Sequence, residues 1–197
     1  MNSIFSKLSP SITDMIRMDH THVMATFHKF EPGASATTKE GLVKTVCVAL
    51  EIHAQLEEEI FYPALRAVAS GNDVLDKSEP EHDEMRQLIT ELQALTPADA
   101  GYDDRFLQLM RIVIHHVADE ETTLLPMAER VLADQLGELG AQMTRRRLEL
   151  AGPRAGEIAA NHLKGMPATT MLMAAGGLVA GGYLLSRAFN QRGGLHH

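Results

Sequence analysis

The chain reads as all-α: an up-down-up-down four-helix bundle followed by a C-terminal apolar helical tail. Three observations predict this. Four long stretches carry apolar residues at the 3-4 spacing of an amphipathic helix. The connections between them, "EPGASAT", "SGNDVLDK" and "TPADAGY", are short and rich in turn residues, which favours antiparallel neighbours. Strand patterns are sparse. At 197 residues the chain is long enough for one well-filled domain and an appendage.

The first helix is expected from about Ser11, just after Pro10, to Phe30, with the stripe Ile12, Ile16, His20, Val23, Phe27, Phe30. The second is expected from near Thr37, where Thr37 and Glu40 have capping-box spacing, to about Ala69. Its stripe is Val43, Val46, Leu50, His53, Glu57, Ile60, Ala64. The third is expected to start near Ser78, which repeats that spacing with Glu81 and has Pro80 in a tolerant first turn, and to end before Pro97. Its stripe is Ser78, His82, Met85, Ile89, Leu92. The fourth runs from near Asp103 to about Ala133, with Phe106, Leu109, Val113, His116, Glu120, Thr123, Met127 in phase.

Residues 1–135 therefore form the bundle, and 136–164 a linker with short helical patterns broken at Pro153. Residues 165–189 form an apolar, glycine-rich helix, and 190–197 a short tail. From Gly165 to Ser186 no residue is charged; 22 residues make about 33 Å of helix, close to a bilayer core of about 30 Å. A membrane anchor with Gly177 and Gly181 as a packing face is expected, against the alternative of self-association or folding back on the bundle. Arg145, Arg146, Arg147, Arg154 and Lys164 upstream outnumber Arg187 and Arg192 downstream. That bias places the bundle in the cytoplasm, tethered to the inner membrane.

A formal net charge of −8 argues against nucleic acid as a partner. Cys47 is the only cysteine, which excludes an intramolecular disulfide and a thiolate cluster. No charged-then-apolar leader opens the sequence, so a cytoplasmic compartment is the expectation. Ten histidines are present, of which His196 and His197 end the chain.

Each core stripe is interrupted by a histidine, and helices 2 and 4 add a glutamate four residues later on the same face. An isolated buried carboxylate costs several kcal/mol, and two facing each other cost more. No lysine or arginine occupies the stripes at that level. A metal centre accounts for both residue types at once. The pattern also repeats: "HAQLEEEIFYP" (53–63) and "HVADEETTLLP" (116–126) share His, Glu at +4, Glu at +5 and Pro at +10. His20 to His82 is 62 residues and His53 to His116 is 63, so the halves look like repeats about a pseudo-twofold. Such halves offer His20, His53, Glu57, His82, His116 and Glu120 as one symmetric set of N/O donors. This set suits iron or manganese, as two ions bridged by carboxylate.

The ordered motifs "MDHTHVM", "HAQLEEEIFYP", "EHDEMRQLI" and "HHVADEETTLLP" resemble the hemerythrin-like family, the HHE cation-binding domain, over about residues 10 to 133. The resemblance implies a non-heme site of two iron ions with an oxo or hydroxo bridge, two bridging carboxylates, and those same six residues as ligands. One departure bears on activity. Oxygen-carrying members have a second histidine one turn along the third helix; here that position is Arg86, and the position one turn after His20 is Met24. An open coordination position then favours binding or turnover of oxygen, peroxide or nitric oxide over reversible oxygen carriage. Weak peroxidase, oxidase or nitric-oxide-handling activity is the enzymatic form of this reading. The alternative is a non-enzymatic iron, oxygen or redox sensor, or a metal-binding module addressed by the tail.

Around the ligands, Glu58 and Glu121 are expected on a solvated face, with the alternative that they orient histidines. His115 adjoins His116 but is out of phase, and either supports the site or faces a neighbouring helix. Tyr62 is a candidate donor or redox residue, against a packing role at the helix end. Glu59 and Asp119 are expected on a solvated face, and His22 and His28 on the surface. Met15, Met18, Met24 and Met85 are expected as core filler.

Overall fold

A computed structural model describes residues 10–69 and 71–166. Ser11 caps α1 (Ile12–Phe27), its hydroxyl accepting from the Asp14 amide at 3.1 Å. Ser35 caps α2 (Ala36–Leu56), accepting from the Thr38 amide at 3.1 Å, two residues before the expected capping box. The rod continues through a π-helical turn (Glu57–Phe61) into α3 (Tyr62–Arg66). Asn72 caps α4 (Asp73–Gln93): its Oδ1 accepts from the amides of Val74 and Leu75, with Asp73 and Asp76 in the first turn. The expected start at Ser78 is thus a turn and a half late. Pro80 lies inside the helix, and the Ser78 hydroxyl donates back to the Val74 carbonyl rather than capping.

Gly101, at φ +90°, turns the chain into α5 (Tyr102–Asp119) through a backbone conformation that favours glycine. A second π turn (Glu120–Leu124) leads into α6 (Leu125–Val131). Residues 136–164 are helical as well: α7 (Leu136–Ala151), a 3₁₀ turn at Gly152–Arg154 around Pro153, and α8 (Ala155–Lys164). All regular structure among the described residues is helical.

The π turns correct the expected stripes. Tyr62 donates its amide to the Glu57 carbonyl and Leu125 to that of Glu120, each an i→i+5 closure. One extra residue per turn delays the buried face by one position. Phe61 and Leu65 are buried where Ile60 and Ala64 were expected; Leu124 and Ala128 replace Thr123 and Met127.

The core has two apolar clusters. One gathers Ile12, Ile16, Leu56, Phe61, Leu65, Leu75, Leu124 and Leu125. The other gathers Val23, Val46, Leu50, Met85, Ile89, Phe106, Leu109 and Val113. In every rod the stripe histidine falls between them in sequence, so the polar layer separates two dry ends. Helix α7 adds Leu139 and Met143 to the first cluster and rides close on the chain before α1: a Cβ on Gly140 would stand 2.2 Å from the Pro10 carbonyl oxygen. Helix α8 lies along α2, where a Cβ on Gly41 would stand 2.4 Å from the Gly165 nitrogen.

Among the described residues no helix is long and apolar enough to cross a membrane. The expected anchor, Gly165 and Met166 excepted, lies outside the described residues. The shifted phase is testable by urea unfolding. Leu124→Ala should cost about 3 kcal/mol, and Thr123→Ala less than about 1 kcal/mol; equal costs would contradict the π-turn register.

Candidate metal centre

Four imidazoles and two carboxylates converge between the apolar clusters, all buried, with Glu57 and Glu120 fully enclosed. Ligand-type atoms of His20, His53, Glu57 and Glu120 lie within 4.8 Å of one another, and so do those of Glu57, His82 and His116. Glu57 belongs to both groups. Its Oε2 is 3.2 Å from His53 Nε2 and 3.5 Å from His82 Nε2. Glu120 Oε2 is 3.2 Å from His20 Nε2 and 3.6 Å from His116 Nε2, so it also faces both sides.

These separations fit a cation. Donors at adjacent corners around an ion bound at about 2.1 Å stand about 3 Å apart. His82 Nε2 and His116 Nε2 are 3.1 Å apart. Moreover, His20 Nε2, His53 Nε2, Glu57 Oε1 and Glu120 Oε2 are buried without a hydrogen-bond partner. Such atoms are costly unless something at the centre satisfies them.

Each histidine is held from outside by a carboxylate at Nδ1. The pairs are His20–Glu121 at 2.8 Å, His53–Asp19 at 3.3 Å, His82–Glu58 at 2.9 Å and His116–Glu81 at 2.8 Å. A carboxylate there accepts the Nδ1 proton and turns the Nε2 lone pair inward, the tautomer a metal requires. Each outer carboxylate meets a cation in turn: Arg17 on Glu121, Arg147 on Asp19, Arg86 on Glu58 and Lys77 on Glu81.

Glu58 and Glu121 therefore stand where orienting groups were sought. Asp19 and Glu81 were missed, although Asp19-His20 and Glu81-His82 are an acid-histidine pair repeated at the 62-residue interval. His115 is corrected: its side chain is 73% exposed, 3.7 Å from Asp119, and turned away from the cluster. Tyr62 is fully buried at the centre, donating to Glu120 Oε1 at 2.8 Å, with Glu57 Oε2 at 3.2 Å. Arg86, in place of a second histidine, points outward to Glu58 at 2.6 and 2.7 Å. Met24 is half-buried beside the second apolar cluster. His22 stacks on His162 at 5.7 Å, and His28 bonds the Met24 carbonyl, both away from the layer. Glu59 pairs with Arg146, and Asp119 with Lys77.

The electrostatics follow from burial. Burial and then the charge of Glu120 push Glu57 well above the usual carboxylate range. Burial acts on Glu120 in the same sense, but the close approach of His20 at 3.2 Å and the histidine charges hold it below that range. Burial pulls His20 down, yet the nearness of Glu120 and the charges of Glu57 and Glu120 push it up to about 9. Burial takes His53 down to about 4 despite Asp19. For Tyr62, burial and then both glutamates hold the phenol protonated. A proton and a cation compete for these atoms.

Burial also raises Asp19, but hydrogen bonds from His53 and Arg147 outweigh it and hold it at about 2. Its folded-state value is depressed, so its stabilisation is complete above about pH 4 and lost as pH falls toward 2, about 2 kcal/mol in all. Urea unfolding from pH 5 to pH 3 should show wild type losing about 1 kcal/mol more than Asp19→Asn. Parallel losses would place the acid sensitivity elsewhere.

The family model of the hemerythrin HHE cation-binding domain matches residues 11–128. A DNA nickase from Nostoc sp. is 30% identical over 132 residues, 67% of this chain and 37% of that protein. The chain thus spans well under half the length of that relative. The uncharacterized protein Rv2633c of Mycobacterium tuberculosis is 28% identical over 145 residues, 71% of this chain and 86% of that one. The crystal structure of an HHE domain-containing homologue of Rv2633c from Mycobacterium kansasii has the same fold. Its TM-score is 0.64 at 20% identity, covering 79% of this chain and 99% of the other. With the match covering more than half its length and a buried His/Glu cluster able to hold a metal at its centre, this chain belongs to the hemerythrin HHE cation-binding domain family.

Proposed function

We propose that the chain is a non-heme di-iron protein whose bundle core binds or reduces a small oxidant: oxygen, peroxide or nitric oxide. The observation that carries the reading is the sharing of Glu57 between two buried donor groups, His20/His53/Glu57/Glu120 and Glu57/His82/His116. Two groups joined by a carboxylate suit a pair of ions better than one. The N/O donor set suits iron and also admits manganese. Bound iron would supply the electrons that an oxidant takes up.

The chain's own residues do the rest. His20, His53, His82 and His116 would hold the ions and, through their outer carboxylates, tune their potential. Glu57 and Glu120, each facing histidines of both pairs, would be shared between the ions and accommodate a change of charge. Tyr62 keeps a phenolic proton within reach of both glutamates. Beneath the imidazoles lies a cavity of about 10 Å³ walled by Val23, Leu50, Met85 and Val113. That is room for about one water-sized molecule. The apolar walls exclude bulk water, and the size rejects organic substrates. DNA nicking is the activity named for a relative of which the match covers 37%. A formal charge of −8 gives this chain no electrostatic basis for holding DNA.

Elemental analysis of the full-length protein from iron-replete cells tests the centre. Two ions per chain are expected; His53→Ala and His116→Ala should each retain about one, and Glu57→Ala neither. Wild-type protein that is fully helical yet carries neither iron nor manganese ends this reading. Tyr62→Phe should keep its iron while its rate of peroxide consumption falls on the order of 100-fold. An unchanged rate removes the phenol from the reaction.

A further inference from the structure

Three of the four cations that brace the outer carboxylates come from the bundle: Arg17 from α1, Lys77 and Arg86 from α4. The fourth, Arg147, comes from α7, beyond residues 11–128 where the family model matches. Its Nη1 donates to Asp19 Oδ1 at 2.5 Å and its Nη2 to Asp19 Oδ2 at 2.6 Å. The same Oδ2 takes the His53 Nδ1 proton at 3.3 Å. We propose that Arg147 is a positioning residue of the metal centre, through which the segment after the bundle fixes His53 and reciprocally senses whether the centre is loaded. This rests on the metal reading above.

The geometry supports more than a surface ion pair. A two-pronged guanidinium–carboxylate pair fixes the plane of the carboxylate as well as its charge. Asp19 is one methylene shorter than Glu81, its counterpart in the other half, and its side chain is 18% exposed. Arg147 is not a free arm reaching in. Its helix is seated by Leu139 and Met143 in the core and by the close passage of Gly140 against Pro10. The chain of contacts is therefore short and rigid: docked helix, Arg147, Asp19, His53, donor group. Whatever orders His53 stabilises the docked helix, and loss of docking loosens His53, because coupling between two binding events is reciprocal. Arg146 provides an internal control. It sits on the same helix and pairs with exposed Glu59, which touches no ligand histidine.

The test uses the full chain, with ferrous iron as probe and a competing chelator as reference. Arg147→Gln should weaken iron retention about 10- to 100-fold, while Arg146→Gln stays within about twofold of wild type. Arg147→Lys, which keeps the charge but not the fork, should fall between. In wild type, iron should slow amide hydrogen exchange across residues 136–151, and in Arg147→Gln that difference should vanish. Should Arg147→Gln fail to fold, Arg147→Lys carries both measurements. Unweakened retention with the same iron-dependent protection as wild type overturns the proposal, as does an equal loss in Arg146→Gln. Wild-type protein that takes up no iron overturns the metal reading itself, a result separable from either.

Discussion

The structure turns on two carboxylates placed where no water reaches them. Glu57 and Glu120 are completely buried and face the same few ångströms of space. Left as a bare pair they would cost several kcal/mol each. The fold answers in alternating shells. Four imidazoles and one phenol surround the glutamates, an outer carboxylate stands behind each imidazole, and a lysine or arginine stands behind each outer carboxylate. The outer shells pair with one another near the surface, while the inner one keeps buried donor atoms without partners. An excess of acceptors that the protein cannot satisfy by itself is the physical signature of a cation site.

The π turns belong to the same constraint. Both begin at a central glutamate and both close on its carbonyl. Residues five apart on an α-helix point about 140° away from each other, so Tyr62 could not share a face with Glu57 on a regular helix. The wider turn brings the phenol round to the carboxylates, and leads each rod on toward Pro63 or Pro126. Proline has no amide to give to the residue four back, so a local departure from the α ladder costs less there.

This explains which features could be read from the amino-acid sequence. Helix class, order and the six inward residues follow from apolar spacing and from the repeated His-x₃-Glu pattern, because burial of polar groups in phase leaves a mark. The slip of the buried face after Glu57 and Glu120 does not, since a π turn changes geometry while composition stays helical. Tyr62 was readable as a candidate donor, but its place between the two glutamates depends on that slip. Asp19 and Glu81 were hidden for another reason: an acidic residue beside a buried histidine looks like any solvated helix face until the neighbouring helix supplies the histidine it holds. The start of α4 went to Asn72 over Ser78 because one asparagine oxygen satisfies two amides at once.

The repeat that makes the site symmetric is broken where chemistry needs a difference. Tyr62 in one half corresponds to Leu125 in the other, so a hydroxyl reaches the glutamates from one side only. One donor group is His20, His53, Glu57 and Glu120, and the other is Glu57, His82 and His116. The phenol oxygen reaches both groups, 2.8 Å from Glu120 Oε1, 3.2 Å from Glu57 Oε2 and 3.5 Å from His82 Nε2. On the proposed reading, the phenol would stand as a single proton donor beside both donor groups. Arg86 reinforces the difference. Where an oxygen carrier would add a histidine and fill the coordination sphere, this chain places a cation that turns outward and clamps Glu58.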